Sequence, residues 1–125
     1  MPVISVSLLP LDLHQEEYEG LVESVRETVT RVLELKETDV SVLLPSDLCN
    51  KGLGEEIIVS ISGLFDQPDR TAELKQRLCE EVAKTVWEFA EAHVPQCERV
   101  EVINLPFNRA KDGFCALVLN RVDDI

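Results

Sequence analysis

The residue in this 125-residue chain whose type and position most readily suggest chemistry is Pro2. It heads an alternating segment, Val3-Ile4-Ser5-Val6-Ser7-Leu8, so removal of Met1 would leave a secondary amine at the start of a strand. An exposed terminal amine titrates at roughly 7.7 to 8, and apolar surroundings lower that value because desolvation disfavours the charged form. Such a nitrogen can act as a general base near neutral pH. The plainer alternative is a proline that serves only to promote removal of Met1. Other reactive side chains carry less. Cys49, Cys79, Cys97 and Cys115 are spaced 30, 18 and 18 residues apart, without the close pairs that mark a zinc site, and are expected to be reduced thiols. His14 and His93 lie far apart with no nucleophile motif beside them, which argues against a triad. Gly52-Leu53-Gly54 is too short to cradle phosphate and is expected to be a turn.

The elements that must position Pro2 follow from hydrophobic period. Leu21, Val22, Val25, Val29, Val32 and Leu33 recur at three-and-four spacing, as do Leu74, Leu78, Val82, Val86, Phe89 and Ala90. Each set predicts a helix of about 20 residues with one buried stripe. Asp12 with Gln15 resembles a capping box for the first helix. The second should begin after Asp66-Gln67-Pro68-Asp69 and fade near His93-Val94-Pro95. Apolar, β-branched segments flank both: Val3 to Leu8 and Val40 to Leu44, then Ile57 to Leu64 and Val100 to Leu105.

Strand-helix-strand therefore occurs twice in one domain, 1–125, with halves of about 1–54 and 55–125 joined by Leu48 to Gly54. A helix between two strands is the crossover that lets them lie parallel, and one helix per half covers a single sheet face. The expected fold is α/β (α+β): a four-stranded sheet with both helices on one face. A turn at Ala110-Lys111-Asp112-Gly113 and a short fifth strand over Phe114 to Leu119 complete it. The uncovered face should carry either Ile58, Ser60 and Ser62 or Val59, Ile61 and Gly63, and Ile57-Ile58-Val59 is apolar to both sides. A face meeting water alternates more cleanly than this, so a second copy is expected to cover it.

Composition excludes several partners. Asp and Glu number 24 against 12 Lys and Arg, a net charge of -12 that repels nucleic acid and anionic membrane surfaces. No apolar run approaches the ~20 residues of a spanning helix, and the opening lacks the pattern of a signal peptide, so the cytoplasm is the expected location.

Proline directly after Met1, two strand-helix-strand halves and a length near 125 residues together resemble the tautomerase superfamily, in particular its macrophage migration inhibitory factor-like and 5-carboxymethyl-2-hydroxymuconate isomerase-like members. Shorter likenesses lie at Lys36 ahead of Val40-Ser41-Val42-Leu43-Leu44-Pro45-Ser46, at Asp69-Arg70-Thr71-Ala72-Glu73-Leu74-Lys75, at Glu98-Arg99-Val100-Glu101-Val102 and at Asn108 to Phe114. The resemblance implies a homotrimer with pockets at subunit boundaries. It implies a tautomerase or isomerase that interconverts keto and enol forms of a small carbonyl or carboxylate substrate, needing neither cofactor nor metal. Pro2 would be the base. Lys36 would hold a substrate carboxylate, unless it only complements a helix end. Ser62 lies where the family offers backbone groups to substrate. Arg109 would bind a carboxylate through its fork, unless it is a solvated loop residue. Phe114 would form a pocket wall, unless it packs ordinarily.

Glu101 departs from the pattern, because relatives of the migration inhibitory factor type carry an aromatic hydroxyl at the matching position and a carboxylate there repels an anionic substrate. The alternative reading is a non-catalytic interaction or structural protein that keeps the fold.

Overall fold

A computed structural model describes residues 2–45, 56–64 and 67–117. Its elements are β1 (Val3–Ser7), α1 (Gln15–Leu33), a 3-10 turn (Glu37–Asp39), β2 (Ser41–Leu43), β3 (Glu56–Ser62), α2 (Ala72–His93), β4 (Arg99–Asn104) and a single-turn α3 (Arg109–Asp112). The sheet order is β2-β1-β3-β4. β1 runs parallel to β2 and β3 parallel to β4, while β1 and β3 meet antiparallel at the centre. This is the arrangement expected of two strand-helix-strand halves. The expected joint, Leu48 to Gly54, lies outside the described residues, as do Met1, Cys49 and Asp66.

Both helices pack on one face of the sheet. Leu21, Val25, Val29 and Val32 of α1 and Leu78, Val82, Val86 and Ala90 of α2 are buried against Ile4, Val6, Ile57, Val59 and Ile61. The strand pattern resolves the two readings of the third strand: Ile57, Val59 and Ile61 point to the helices, and Ile58, Ser60 and Ser62 point away. The helices run antiparallel, since Thr28 meets Thr85 through hydroxyls 2.7 Å apart and Glu17 approaches His93. Each threonine oxygen also lies within hydrogen-bond distance of a carbonyl of its own helix, Thr28 of Ser24 at 2.9 Å and Thr85 of Glu81 at 3.0 Å; one hydroxyl donates across the interface and the other to its own helix, so both protons find an acceptor.

The two helices begin differently. α2 is capped by Thr71, whose hydroxyl accepts from the Leu74 N–H at 3.2 Å, just after the expected Pro68-Asp69 punctuation. The α1 cap is His14, with no side-chain hydrogen bond, so the expected Asp12–Gln15 capping box does not form. Gln15 is already the first helical residue, which leaves Asp12 two positions ahead of the cap and out of register with the free N–H groups it would serve. At its other end α1 stops on Glu34 in the left-handed region, φ 55°.

Beyond β4 the expected turn at Ala110–Gly113 is instead the α3 turn followed by Gly113 at φ 82°. Residues 114–117 form no strand, and 118–119 lie outside the described residues. A strand needs an edge to pair with, and neither β2 nor β4 is joined by this segment within the protomer. Among the described residues no helix is long and apolar enough to cross a membrane, and no group of three or more His, Cys, Asp or Glu is placed to hold a metal ion.

Candidate active site at the head of the first strand

Strand directions decide what gathers around Pro2. β1 begins beside Pro2, and its parallel neighbour β2 begins at the same end, with Val3 opposite Ser41. β3 runs the other way and ends there, Ser62 opposite Val3, and β4 ends beside it with Asn104 opposite Ile61. Pro2, Ser62 and the segments carrying Lys36, Arg109 and Phe114 therefore all lie at one end of the sheet.

Pro2 is anchored on both sides. Its side chain is under 2% exposed, and its carbonyl accepts the Ser41 N–H at 3.1 Å. The ring takes the same face as Ile4 and Val6, since residues two apart along a strand share a face. Across from it, β3 leaves the sheet at Gly63, whose φ of 72° is readily reached only by glycine. The Ser62 hydroxyl donates to the Val3 carbonyl at 3.4 Å, one residue from Pro2.

Lys36 flanks this end on the β2 side. It heads the 3-10 turn that leads into Val40, its backbone N–H donating to the Asp39 carboxylate at 3.3 Å while the Asp39 N–H returns to the Lys36 carbonyl at 2.9 Å. The Lys36 residue is exposed, and among the described residues its ammonium pairs with no carboxylate. Arg109 and Phe114 belong to the segment that follows β4. The Arg109 guanidinium carbon lies 5.6 Å from the centre of the Phe114 ring, a cation–π distance, and Phe107 meets Phe114 edge-on at 6.3 Å between centroids. Asp112 of this segment accepts the Asn108 N–H at 2.7 Å.

The candidate residues thus fall into groups rather than one contact cluster. Pro2 and Ser62 are neighbours, Arg109 and Phe114 touch each other, and β1 and β4 are two strand spacings apart, roughly 10 Å. Lys36 precedes β2 and Arg109 follows β4, so both segments join the sheet at the end where Pro2 lies.

Two features were not legible in the sequence. One is the Ser41 N–H that fixes Pro2, which depends on register. The other is Asn104, at the end of β4, whose amide oxygen is buried without a partner among the described residues. A single asparagine at a strand end carries no sequence signal that separates it from a turn residue.

Within the protomer Glu101 stands away from Pro2. It forms an ion pair with Arg99 on the face away from the helices, and it lies opposite Ile58, while Pro2 lies one step beyond the Val3–Ser62 pair. Five residues of strand separate those levels, about 17 Å. Within one protomer the carboxylate is paired and distant, and does not face the site.

Comparison with solved structures shows that this architecture is a known fold. A fused 4-OT, described as a wild-type asymmetric trimer, superposes with a TM-score of 0.62 at 19% identity, covering 83% of this chain and 86% of its own. A protein inactivated by 2-oxo-3-pentynoate gives 0.63 at 21% identity, covering 90% and 89%. The chain has the tautomerase fold. Malonate semialdehyde decarboxylase, at a TM-score of 0.58, 13% identity and 91% of both chains, shows that different chemistries share this tautomerase scaffold. No family model and no curated protein matches the sequence.

Proposed function

We propose that the chain beginning at Pro2 is a cofactor-independent tautomerase that interconverts keto and enol forms of a small carbonyl substrate bearing a carboxylate. The observation that carries this reading is the setting of Pro2: under 2% exposed, locked through its carbonyl to Ser41, at the sheet end that the segments carrying Lys36 and Arg109 also join. Once Met1 is removed, an apolar setting would favour the neutral amine, which is the form a base must have. The nitrogen takes a proton from the carbon beside the substrate carbonyl and returns it to the enolate oxygen, or runs the same transfer in reverse. Lys36 or Arg109 holds the carboxylate, Phe114 supplies an apolar wall, and the backbone around Ser62 meets the substrate from the β3 side. The assembly we propose is a homotrimer, the state named for the fused 4-OT neighbours.

The alternative of a non-catalytic interaction protein rests on Glu101 and on Met1, which must be removed to free the Pro2 amine; the pairing of Glu101 with Arg99 weakens the first ground.

The test is ketonisation of a phenylpyruvate enol by processed protein. Replacement Pro2→Ala should lower the rate by roughly two to four orders of magnitude with the fold intact, the usual worth of a positioned base. A second readout is covalent. 2-Oxo-3-pentynoate should add through its alkyne carbon to the Pro2 nitrogen, the amine proton passing to the adjacent carbon. The amino-terminal peptide would then gain the full reagent mass. Activity unchanged in a folded Pro2→Ala variant would end this proposal.

A further inference from the structure

The opposite end of the sheet holds a concavity, on the order of 20 Å from Pro2 at strand rise, that plays no part in the proposed tautomerase chemistry. Its volume is about 350 Å³, within the range of small-molecule sites. β1 leaves the sheet through Leu8, a bulky residue held at φ 71°, and the chain beyond it builds one wall from Leu9 and Pro10. Leu44 and Pro45, following β2, build the other. The prolines fix their own backbone angles, so the walls are set before any ligand arrives. Tyr18 braces the site, its hydroxyl donating to the Pro10 carbonyl and accepting the Leu13 N–H. Leu11, 63% exposed, stands at the lip.

The charge pattern decides what this cleft takes. In a chain of net charge -12, with charged residues making up 29% of the sequence, no charged side chain among the described residues lines it. A charged ligand would lose hydration there without gaining a partner. Tyr18 has both hydrogen-bonding functions engaged internally. Gln15 is the polar group left to meet a ligand: its amide nitrogen donates to Glu19 at 3.4 Å, and its carbonyl oxygen remains an acceptor. We propose that this cleft binds a small, uncharged, ring-sized hydrocarbon carrying a single hydroxyl or N–H donor, with the ring between the leucine and proline walls and the donor on the Gln15 carbonyl. The inference does not depend on the chemistry of Pro2.

The test uses the composition of the chain. Tyr18 is the sole tyrosine and Trp87 the sole tryptophan, so ring-labelled protein reports from one residue at the cleft and one control on α2. Titration with cyclohexanol should move the Tyr18 ring signals saturably and leave the Trp87 indole unmoved. Cyclohexanecarboxylate and cyclohexylammonium should bind at least tenfold more weakly. Gln15→Ala, at an exposed position, should weaken cyclohexanol several-fold, and Leu44→Trp should abolish the response by filling the cleft. Three results overturn the proposal: no saturable shift in the wild type, equal binding of the charged analogues, or a response unchanged in Gln15→Ala. Tyr18 signals that change with protein concentration and ignore cyclohexanol would show instead that a second copy covers the cleft, and would overturn it too.

Discussion

The Ser41 backbone N–H and the Pro2 carbonyl meet at 3.1 Å, so the residue just ahead of β1 is held to the sheet although a proline has no N–H of its own to give to a ladder. On the other flank the chain turns away at Gly63 with φ 72°. That turn sets how closely β3 passes Pro2. Gly63→Ala forces a side chain into the left-handed region and should cost about 1 to 2 kcal/mol of stability. Chemical denaturation checks this. The same variant should lose more activity than Ser62→Ala, whose hydroxyl makes only a long bond to the Val3 carbonyl at 3.4 Å. A Gly63→Ala protein as stable and active as the wild type would show that the turn is not under constraint.

Glu101 allows a prediction about which protomer builds the site. Two unit charges about 17 Å apart in water interact by about 0.2 kcal/mol, and salt screens that further. Pairing with Arg99 reduces the effect again. Glu101→Gln should therefore leave KM for an anionic enol within about twofold of wild type. A several-fold fall in KM would mean that the Glu101 of a neighbouring copy stands beside Pro2 in the assembly.

The fold was legible where periodicity was long. The apolar stripe of α2 and the Pro68-Asp69 punctuation place a helix observed at Ala72–His93, because a single Thr71 hydroxyl suffices to start it. The face that β3 turns outward could not be read, since Ile57, Ile58 and Val59 satisfy either register, and packing against the helices chose Ile57 and Val59. The start of α1 was misplaced because Asp12 and Gln15 carry the residue types of a capping box without its geometry. Of the site, Pro2 could be named from its position alone. The pairing of Arg109 with Phe114 needed the α3 turn, and the Arg99–Glu101 pair needed the strand to alternate so that both side chains lie on one face. Such cross-element neighbours are set by tertiary packing, which a local pattern does not encode.

The thiols should separate by environment. Burial pushes the Cys79 thiol above its ordinary value of 9.0, against a lowering hydrogen bond from the Asn104 backbone and with a further rise from Glu80. Cys97 is half-buried and donates to the Arg99 carbonyl at 3.4 Å, and Cys115 is exposed. In a Cys49→Ser background a maleimide should modify Cys115 first and Cys79 last, followed by mass spectrometry of peptides. Stability carries the same information. Above about pH 9 the unfolded thiol has released a proton that the folded one still holds, so rising pH favours the unfolded chain. The stability loss between about pH 8.5 and 10 should be smaller in Cys79→Ala than in wild type. Equal slopes would remove the thiol from the linkage.

The uncovered sheet face carries the last prediction, about assembly. Val3, Ser5 and Ser7 of β1 and Ile58, Ser60 and Ser62 of β3 stand there half-buried, between Leu43 at 52% exposure on one edge strand and Ile103 at 48% on the other. Apolar groups spread over both edges and a serine-lined centre suit a second copy better than water, since small side chains let backbones approach while the leucine and isoleucines are buried. Ile58 takes no part in packing the helices, so it can be changed without opening the core. Ile58→Lys should therefore keep its circular dichroism spectrum and most of its melting temperature while converting a trimeric mass to a monomeric one by light scattering at micromolar concentration. If the pocket lies between protomers, the same change should abolish ketonisation although Pro2 is intact. A wild type that is monomeric at that concentration would sink the homotrimer, and a fully active Ile58→Lys monomer would place the whole site within one chain.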